Sequence, residues 1–429
     1  MDYEEMQRRL TDAALHGKLD EEAGKIRETA GAPEQKLLEG LLNPKGQPPV
    51  VQRAECACGP GERAACEVSC LFDAIRRDEN GRLVITGDCT GCGRCIEACE
   101  AHAIAGRTDT VPLVELLHEQ KIPVYAMIAP AFSGQFSPEV TSGRLRSAFK
   151  KLGFYGMIEV ALFADLLTLK EALEFDRTIH TDRDFLLTSC CCPMWVALIK
   201  KSYAQLIPHV PPSVSPMVAC GRSIKRIHPE AVTVFIGPCV AKKAEAREQD
   251  IADAVDYVLT FQEVDALFAE LSVDPAALPE DRSDQSSTAG RIYARTSGVS
   301  EAVQSTLDRL RPGRTIPLKA RQADGIIACK ELLKRLAAGE CDANFIEGMG
   351  CVGGCVGGPK SLIPKEEARE HVNAYGAAAR FATPADNPYV MDTLHRLGFD
   401  TIESLLDRDN TFTRSFAPKT PAEKPDAAR

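Results

Sequence analysis

The cysteines are the side chains in this sequence with the clearest chemistry. The chain holds 17 of them in 429 residues, and all but Cys220, Cys329 and Cys341 stand in short motifs. That content is below the level of a disulfide scaffold, and a chain of this length folds without disulfide bonds. Grouped thiolates are ligands for soft metals and for iron–sulfur clusters. We therefore expect the motifs to bind metal.

One motif has a regular spacing, Cys89-x-x-Cys92-x-x-Cys95-x-x-x-Cys99. This is the spacing of bacterial ferredoxins, in which three thiolates converge on one 4Fe–4S cube and the fourth ligates another cube. Glu100 stands where a proline is usual, which is a minor departure. The motif predicts 4Fe–4S ligation in this segment.

An earlier motif, Cys56-x-Cys58-x7-Cys66-x-x-x-Cys70, is irregular in its first half. Its second half matches the regular motif, so the segment resembles a two-cluster ferredoxin with a degenerate first motif. Crossover ligation in that family implies two ligand sets. The first set is Cys56, Cys58, Cys66 and Cys99, and the second set is Cys70, Cys89, Cys92 and Cys95. The alternative is one intact cluster, with the first site vacant or holding zinc.

Three further cysteine loops stand far apart in the sequence, and each follows an apolar segment of strand length. Loops at the carboxyl ends of parallel strands are where ligand sites gather. Glycines in these loops allow the backbone to approach a bulky cofactor closely. The cysteines are Cys190, Cys191 and Cys192 in the first loop, Cys239 in the second, and Cys351 and Cys355 in the third.

Taken together, the three loops resemble the three signature motifs of iron-only (FeFe) hydrogenases, and the resemblance covers roughly residues 48–400. It implies an active-site H-cluster, in which a 4Fe–4S cube is linked to a two-iron unit with carbon monoxide, cyanide and a bridging azadithiolate. The cube ligands implied by the family are Cys192, Cys239, Cys351 and Cys355, and Cys355 would be the bridge.

The resemblance also assigns residues around the two-iron unit. Lys242 would hydrogen-bond a cyanide, as a cationic donor can, and Met349 would pack against the irons. Pro130 and Ala131 fall where the family has another wall near cyanide. The plain alternatives are a surface lysine at 242 and core packing at 349, since methionine fills gaps.

The first loop departs from the family, which usually has two cysteines between serine and proline, whereas this chain has three. A count without gaps makes Cys192 the cube ligand and Cys191 the proton-relay thiol, and it leaves Cys190 at a position usually held by serine. If the insertion lies beside the proline instead, Cys191 ligates the cube and Cys190 relays the proton.

The same count puts Glu171 and Glu174 where the family has two relay glutamates, and their spacing puts them on one helix face. Pro211 replaces the serine between them, and proline has neither a hydroxyl nor an N–H group. Thr178 replaces an arginine at the outer end. The sequence therefore predicts that the family's proton path is interrupted, and the alternative is that the two glutamates belong to a solvated helix face.

From about residue 111 onward, apolar segments of strand length alternate with amphipathic helices. This pattern predicts an α/β catalytic domain with parallel sheets, which agrees with the H-domain implied by the resemblance. The cysteine-rich segment before it predicts an α+β two-cluster ferredoxin-like domain. Predicted strands are 122–128, 184–187, 232–236, 257–259, 291–295 and 343–346, and predicted helices are 143–152 and 330–338.

The predicted organisation has four parts. Residues 1–47 form an N-terminal arm of one or two helices or a solvated arm, 48–110 the ferredoxin-like domain, 111–416 the H-cluster domain, and 417–429 a disordered tail. A net charge of −10 argues against nucleic acid as the partner. No apolar run approaches the roughly 20 residues that span a bilayer, and the charged N-terminus lacks a signal-peptide core. We expect a cytoplasmic protein without a membrane span.

The resemblance implies reversible oxidation of H₂ to protons and electrons, with electron transfer through the two additional 4Fe–4S clusters to a redox partner such as ferredoxin. It also implies maturation proteins and an anaerobic host. One alternative is an H₂-sensing member with low turnover and a signalling partner, favoured by Pro211, the altered first loop and the third loop's lack of a Gly-Gly-Gly-Gln-Pro ending. The other is a relative of the iron–sulfur assembly factors, without the two-iron unit.

Overall fold

The larger part of the chain is organised around two parallel sheets. The computed structural model describes residues 1–54, 56, 58, 63–340, 342–407 and 411–416. Before residue 110 the elements are α1 (Tyr3–Leu15), α2 (Leu19–Thr29), α3 (Ala32–Leu42), β1 (Val50–Gln52), α4 (Ala65–Ser69), β2 (Ile75–Arg77), β3 (Leu83–Ile85), α5 (Arg94–Glu97) and β4 (Ile104–Gly106).

In the rest of the chain, one to three helices separate successive strands. These elements are α6 (Thr110–Glu119), β5 (Val124–Ile128), α7 (Ser142–Lys151), β6 (Gly156–Glu159), α8 (Ala161–Thr178), β7 (Leu186–Leu187), α9 (Pro193–Ser202), α10 (Pro216–Ile227), β8 (Val232–Gly237), α11 (Lys242–Glu245), β9 (Tyr257–Thr260), α12 (Phe261–Glu270), α13 (Thr288–Arg291), α14 (Gly298–Leu310), β10 (Ala320–Asp324), α15 (Ile326–Ala337), β11 (Phe345–Met349), α16 (Lys365–Ala377) and α17 (Pro388–Arg396).

The larger sheet has the strand order β6-β5-β8-β9 and the smaller sheet has the order β10-β11-β7. All pairings within both sheets are parallel. Strands β5 and β11 are buried along their whole length, as expected where helices cover both faces of a parallel sheet. The predicted α/β catalytic domain with parallel sheets is confirmed.

The cysteine-rich segment is built from two short antiparallel pairs, β1 with β4 and β2 with β3, together with the one-turn helices α4 and α5. Its hydrophobic cluster is small and includes Cys66 and Cys95. A core of this size gives little burial by itself, so bound metal would have to contribute to folding.

The N-terminal segment forms three helices rather than one or two, and it packs on the rest of the chain. Helix α1 lies against α6, and Met6 and Leu10 are fully buried in the same apolar cluster as β5 and β8. None of the described helices is long and apolar enough to cross a membrane. The predicted disordered tail, 417–429, lies outside the described residues, as does Cys341.

The predicted strand at 291–295 is wrong. Residues Thr288–Arg291 form α13, and a 3₁₀ turn, Ile292–Ala294, follows it. The carboxylate of Asp165 on α8 accepts the N–H groups of Ser287 and Gly290, at 2.6 and 2.8 Å, and so satisfies donors at the start of this helix. That carboxylate comes from a distant part of the sequence, so the local pattern could not reveal it. The other predicted strands and both predicted helices are present, while β6 and β10 of the parallel sheets and the short strands β1 to β4 were missed.

Helix α8 is buried on all sides from Ala161 to Phe175. A helix buried all round is normally apolar. This one carries Asp165, Lys170, Glu171 and Glu174, all of them buried. Buried charged groups need partners, and the partners of this helix lead into the candidate site.

Candidate iron–sulfur and catalytic site

The first ligand set of the ferredoxin-like segment surrounds one cavity. The cavity measures about 310 Å³, and its lining includes Cys56, Cys58, Cys66 and Cys99. Its apolar wall contains Ile75, Leu83 and Ile85. These four cysteines are the set that crossover ligation implies, although they come from both motifs.

The second set is also grouped. Burial, and then the neighbouring thiols Cys92 and Cys70, raise the pKa of Cys89 to about 11. Burial raises the pKa of Cys95 to about 12, and Cys92, Cys89 and Cys70 contribute to that shift. These thiols stay protonated until a metal ion replaces their protons. Cys70 thus lies with the second motif, as crossover ligation requires.

The alternative of zinc at the first ligand set stays a prediction. Among the described residues, no group of three or more His, Cys, Asp or Glu side chains is arranged to hold a single metal ion.

Three cysteine loops leave the carboxyl ends of strands in both sheets. They hold residues 190–192, Cys239 and residues 351–355, and they are called the catalytic loops below because they form the candidate catalytic site. Cys192 follows β7 and is the N-cap residue of α9. Cys239 lies two residues beyond β8, and Cys351 two residues beyond β11. Cys355 begins a 3₁₀ turn, Cys355–Gly357. The loops of the larger and smaller sheets therefore converge in one place, as ligand sites of parallel sheets do.

The thiols of these loops that the resemblance assigns to the cube are neighbours in space. Burial comes first among the causes that raise the pKa of Cys239 to about 11, and Cys192 adds to it. Burial raises the pKa of Cys355 to about 12, with further contributions from Cys192 and Cys239. Burial, and then the thiols of Cys239, Cys192 and Cys355, raise the pKa of Cys351 well above its ordinary value. Every pair among the four is close enough to interact.

Glycines let the backbone approach these sulfurs. The N–H of Gly350 donates to the sulfur of Cys192 at 3.2 Å, and a Cβ on this glycine would lie only 2.5 Å from Cβ of Met194. Gly354 has a φ of 87° and pairs with Arg295 in an isolated antiparallel bridge. This conformation favours glycine and anchors the chain directly before Cys355.

The second ferredoxin-type ligand set packs against the catalytic loops. A Cβ on Gly91 would lie 2.9 Å from Cα of Ala241, just after Cys239. Cys92 also packs against the apolar cluster that contacts Cys192 and Cys239. A cluster held by Cys89, Cys92, Cys95 and Cys70 would thus stand next to the catalytic loops. This placement suits electron transfer between the two.

Lys242 is buried with its charge satisfied. Its Nζ lies 2.6 Å from Oε2 of Glu245, one turn further along α11. Burial by itself would lower the pKa of Lys242, but the Glu245 carboxylate outweighs this effect and raises it. The surface-lysine alternative is therefore wrong, and a buried cation lies close to Cys191 and Cys239.

Met349 and the 130–131 pair lie on the walls of this region. Met349 ends β11, is 1% exposed and shares an apolar cluster with Tyr293, against which Cys191 and Cys192 pack. Pro130 and Ala131 begin a 3₁₀ turn directly after β5, and Ala131 is fully buried. This turn contacts the turn of Tyr293.

The three cysteines of the first loop face different surroundings. Burial raises the pKa of Cys191 well above its ordinary value, the neighbouring thiols Cys190, Cys355 and Cys192 add to this effect, and Lys242 opposes it. Cys190 instead donates to the carbonyl of Val214 at 3.2 Å and to Oε1 of Glu171 at 3.6 Å. Ser189 has a φ of 68°, so the chain turns between Thr188 and the three cysteines. This arrangement favours the ungapped count, with Cys191 beside the cube ligands and Cys190 toward α8.

Glu171 is buried and poised to exchange protons near neutral pH. Burial raises its pKa to about 7, against the hydrogen bonds from Thr188 and Cys190, which lower it. A carboxyl group with a pKa near the working pH is an effective general acid and base. The solvated-face alternative is wrong for this residue, which is 2% exposed.

Polar side chains lie next to the two substituted positions. Arg177, directly before Thr178, donates to Oε2 of Glu174 at 2.6 Å and is half exposed. Ser213, two residues after Pro211, accepts a hydrogen bond from Nζ of Lys170 at 3.0 Å. Both substituted positions therefore have hydrogen-bonding side chains close by.

Comparison with known families identifies the chain. Residues 122–359, more than half of its length, match the family described as "Iron only hydrogenase large subunit, C-terminal domain". The chain belongs to the iron-only hydrogenase family. Residues 83–105 of this family member also match the "4Fe-4S binding domain" family, which covers Cys89, Cys92, Cys95 and Cys99.

Its relatives include both hydrogenases and iron–sulfur assembly proteins. The chain is 27% identical over 323 residues to "NADP-reducing hydrogenase subunit HndD" of Solidesulfovibrio fructosivorans, a match of 63% of this chain and 55% of that relative. It therefore spans about half the length of HndD. It is also 26% identical over 385 residues to "Cytosolic iron-sulfur assembly component 3" of Pongo abelii, covering 74% of this chain and 80% of that protein.

The fold of this iron-only hydrogenase family member resembles that of solved structures. A structure of FeFe-hydrogenase HydA1 from Chlamydomonas reinhardtii superposes with a TM-score of 0.60 at 21% identity, over 72% of this chain and all of the other. At that identity the likeness concerns the fold alone. The H-domain fold implied by the sequence resemblance is confirmed.

The residues present fit the cofactor that the family resemblance implies. Four neighbouring thiols form the ligand set, a backbone N–H points at the sulfur of Cys192, and Gly350 leaves room where a Cβ would meet Met194. Soft thiolates with backbone donors are the environment that iron–sulfur cubes use. The buried cation Lys242 supplies a donor beside Cys191.

Four further residues at the site were missed by sequence reasoning. They are Thr188, Lys170, Ser213 and Tyr293, whose hydroxyl lies 2.9 Å from Oγ1 of Thr168. The available signal was helix α8, where polar residues interrupt an otherwise apolar sequence. No sequence signal indicated which loop would cover that face of the helix.

Proposed function

We propose that this chain is an FeFe hydrogenase that interconverts H₂ with protons and electrons at an H-cluster held by Cys192, Cys239, Cys351 and Cys355. The single observation that carries the proposal is the convergence of these four thiols, each pair of them close enough to interact. The family match supports it, because the match spans all three catalytic loops.

When bound, the H-cluster would supply the heterolytic cleavage of H₂. The chain's own residues would hold the cube, exclude water and move the proton. The carboxyl of Glu171, with a pKa of about 7, would take up and release the proton next in line after the Cys191 thiol, with Cys190 between them. Lys242 would donate a hydrogen bond to a cyanide, and Met349, Pro130 and Ala131 would form walls.

Electrons would pass through the two ferredoxin-type clusters. The second ligand set packs beside the catalytic loops, while the first set includes the exposed Cys58. This order of burial supports entry of electrons from a small redox partner, such as a ferredoxin, at the first cluster.

The deciding experiment is infrared spectroscopy of the protein after maturation, under argon and under H₂. We expect bands of metal-bound carbon monoxide and cyanide that shift when H₂ is admitted. Absence of these bands in protein whose maturation is verified with a known hydrogenase would overturn the proposal. A rate hundreds-fold below that hydrogenase, with the bands present, would identify an H₂ sensor.

A second candidate is an iron–sulfur assembly function without the two-iron unit. The observation that favours it is the similarity to cytosolic iron–sulfur assembly component 3 over 74% of this chain. Lys242 and Met349 argue against it, because both are buried beside the cysteine loops, where that function gives them no role. Cluster transfer to an apo-ferredoxin, without any infrared bands, would support this candidate.

A further inference from the structure

A carboxylate at the end of β10 is hydrogen-bonded to the third catalytic loop. Asp324 is the last residue of this strand and is half-buried. Its Oδ2 accepts the N–H of Gly353 at 2.8 Å and the hydroxyl of Thr296 at 2.8 Å. The N–H of Thr296 donates in turn to the carbonyl of Gly353 at 3.0 Å. Three residues from distant parts of the chain thus form a closed ring of hydrogen bonds, which we call the Asp324 clamp.

The clamp holds the middle of the segment that joins two cube ligands. Gly353 stands two residues after Cys351 and two residues before Cys355. Gly353 and Gly354 both have a φ of 87°, and glycine loses more conformational freedom on folding than any other residue. Such a segment needs partners outside itself to keep one shape. The clamp binds both the N–H and the carbonyl of Gly353, so Asp324 is a positioning residue for the two ligands.

The clamp leaves the charge of the carboxylate without a cationic partner. Both of its donors are neutral groups, a backbone N–H and a hydroxyl. Arg295 adjoins Thr296 in the sequence, but it pairs with Glu301 instead. Among the residues that the structure describes, no lysine, arginine or histidine side chain forms an ion pair with Asp324. A negative charge therefore stays beside the third catalytic loop.

This charge is close to the ligands of the cube. Because a chain advances by at most about 3.6 Å per residue, the hydrogen bond to Gly353 puts the carboxylate within about 12 Å of the Cα atoms of Cys351 and Cys355. Burial raises the pKa of Cys329 to about 12, and Cys192 and then Asp324 add to that shift, so the carboxylate and a cube ligand act on the same thiol. Partly buried charges are screened less than exposed ones, so their effect reaches this far.

We infer that Asp324 fixes the third catalytic loop and, through its uncompensated charge, lowers the reduction potential of the cube that the catalytic loops hold. This inference rests on the part of the proposed function that places a 4Fe–4S cube on these four thiols. Net charge around a cluster is one of the factors that set its potential. Reduction adds one electron to the cube, and a nearby negative charge opposes that step. Asp324 itself neither gives nor takes an electron or a proton.

The charge is tested with Asp324→Asn in protein loaded with 4Fe–4S clusters alone. Asparagine keeps a carbonyl oxygen that can accept both hydrogen bonds, but it has no charge. The cube is followed by the electron paramagnetic resonance signal that is lost in Cys355→Ala. At the potential that reduces half of the unmodified cube, we expect the reduced cube of the variant to exceed the oxidised cube by about threefold or more.

Two further variants serve as controls for the charge. Asp308→Asn removes a carboxylate from the exposed face of α14, where it accepts a hydrogen bond from Gln304, and it should leave the potential of the cube unchanged. Asp324→Glu keeps the charge and should keep a potential close to that of the unmodified protein. An unchanged potential in Asp324→Asn, or an equal shift in Asp308→Asn, would overturn the role of the charge.

The positioning role is tested by amide hydrogen exchange in the same preparations. Asp324→Ala removes the acceptor as well as the charge, so the amide of Gly353 should exchange about tenfold faster or more. In Asp324→Asn the amide should stay protected, because an acceptor remains. Equal protection of this amide in Asp324→Ala and in the unmodified protein would overturn the positioning role.

The outcomes separate this inference from the proposed function. If the unmodified protein shows the ferredoxin-type signals but no signal that depends on Cys355, then the proposed ligand set and this inference both fail. If that signal is present and its potential does not move in Asp324→Asn, the inference fails by itself and the hydrogenase proposal stands. If the potential moves as expected but matured protein lacks the infrared bands, the hydrogenase proposal fails and the role of Asp324 toward the cube stands.

Discussion

At the scale of single residues, the site is organised by what burial does to charge. The thiols of Cys239 and Cys355 and the carboxyl of Glu171 have raised pKa values, so they are held in their neutral forms more strongly than they would be in water. For the thiols, this means that binding of iron must release protons. For Glu171, it means that uptake and release of a proton fall near neutral pH.

The identity of the relay thiol can be tested by single substitutions. We expect Cys191→Ala to abolish turnover almost completely while it leaves the infrared bands of the cofactor in place, because this thiol lies beside the cube ligands. Cys190→Ser, which keeps a donor toward Glu171, should retain most of the activity. If Cys190→Ser is the inactive variant and Cys191→Ala has lost its infrared bands, then Cys191 ligates the cube and Cys190 relays the proton.

Glu171 gives a pH dependence of stability whose sign follows from its raised pKa. The folded state holds its proton up to about pH 7, whereas the unfolded chain loses it near 4.5. The stability this group contributes is therefore full below 4.5 and is lost as the pH rises through about 7. The total loss is on the order of 3 kcal/mol.

Glu171→Gln, a neutral isostere, should therefore melt higher than the unmodified protein at pH 8. The difference should shrink as the pH is lowered toward 5. Anaerobic melting curves of protein without the two-iron unit would measure it. A melting difference that does not change with pH would contradict the assignment of the raised pKa to this carboxyl.

At the scale of elements, short loops at strand ends do the positioning. Strands β7 and β11 of the smaller sheet and β8 of the larger sheet each end just before a cysteine loop. Their parallel pairing aligns the carboxyl ends of the strands, so ligands far apart in the sequence become neighbours. Helix α8 then brings buried acid and base groups to the same place.

The third loop depends on glycine at 354. Its φ of 87° is one that other residues rarely adopt, and a Cβ there would lie 2.8 Å from the backbone N of Thr296. We expect Gly354→Ala to lose the cube iron of the catalytic domain while the ferredoxin-type clusters remain. Iron analysis with electron paramagnetic resonance would measure this. The control is Gly313→Ala, because a Cβ at 313 would meet no atom within 4 Å. Equal iron in both variants would contradict the expectation.

At the scale of the whole molecule, the ferredoxin-like segment packs against the catalytic loops, as the proposed route for electrons requires. Gly91 approaches Ala241, and Gly93 approaches Pro359, so the second motif touches two of the three catalytic loops. The N-terminal helices share the apolar core of the larger sheet, which ties the start of the chain to the catalytic domain.

This arrangement predicts what happens when a cysteine of a ferredoxin-type ligand set is removed. Cys89→Ala should remove one cluster signal from the electron paramagnetic resonance spectrum and slow reduction of an external dye by H₂ by tenfold or more, because that cluster stands next to the catalytic loops. Isotope exchange between H₂ and water needs no external electron acceptor, so it should persist. Cys58→Ala serves as the matched variant for the other cluster. An unaltered spectrum in either variant would refute its ligand assignment.

Cysteine spacing and apolar runs are local patterns, so the amino-acid sequence by itself predicts iron–sulfur ligation, the fold class and five of the seven strands of the two parallel sheets. It also indicates which cysteine loop follows which strand. The different surroundings of Cys190, Cys191 and Cys192 come only from tertiary structure, since identical side chains acquire different neighbours. The same holds for α13, whose first N–H groups donate to Asp165 of a distant helix, and for the contact between Ser213 and Lys170 near Pro211. Long-range contacts supply those partners, and no local pattern encodes them.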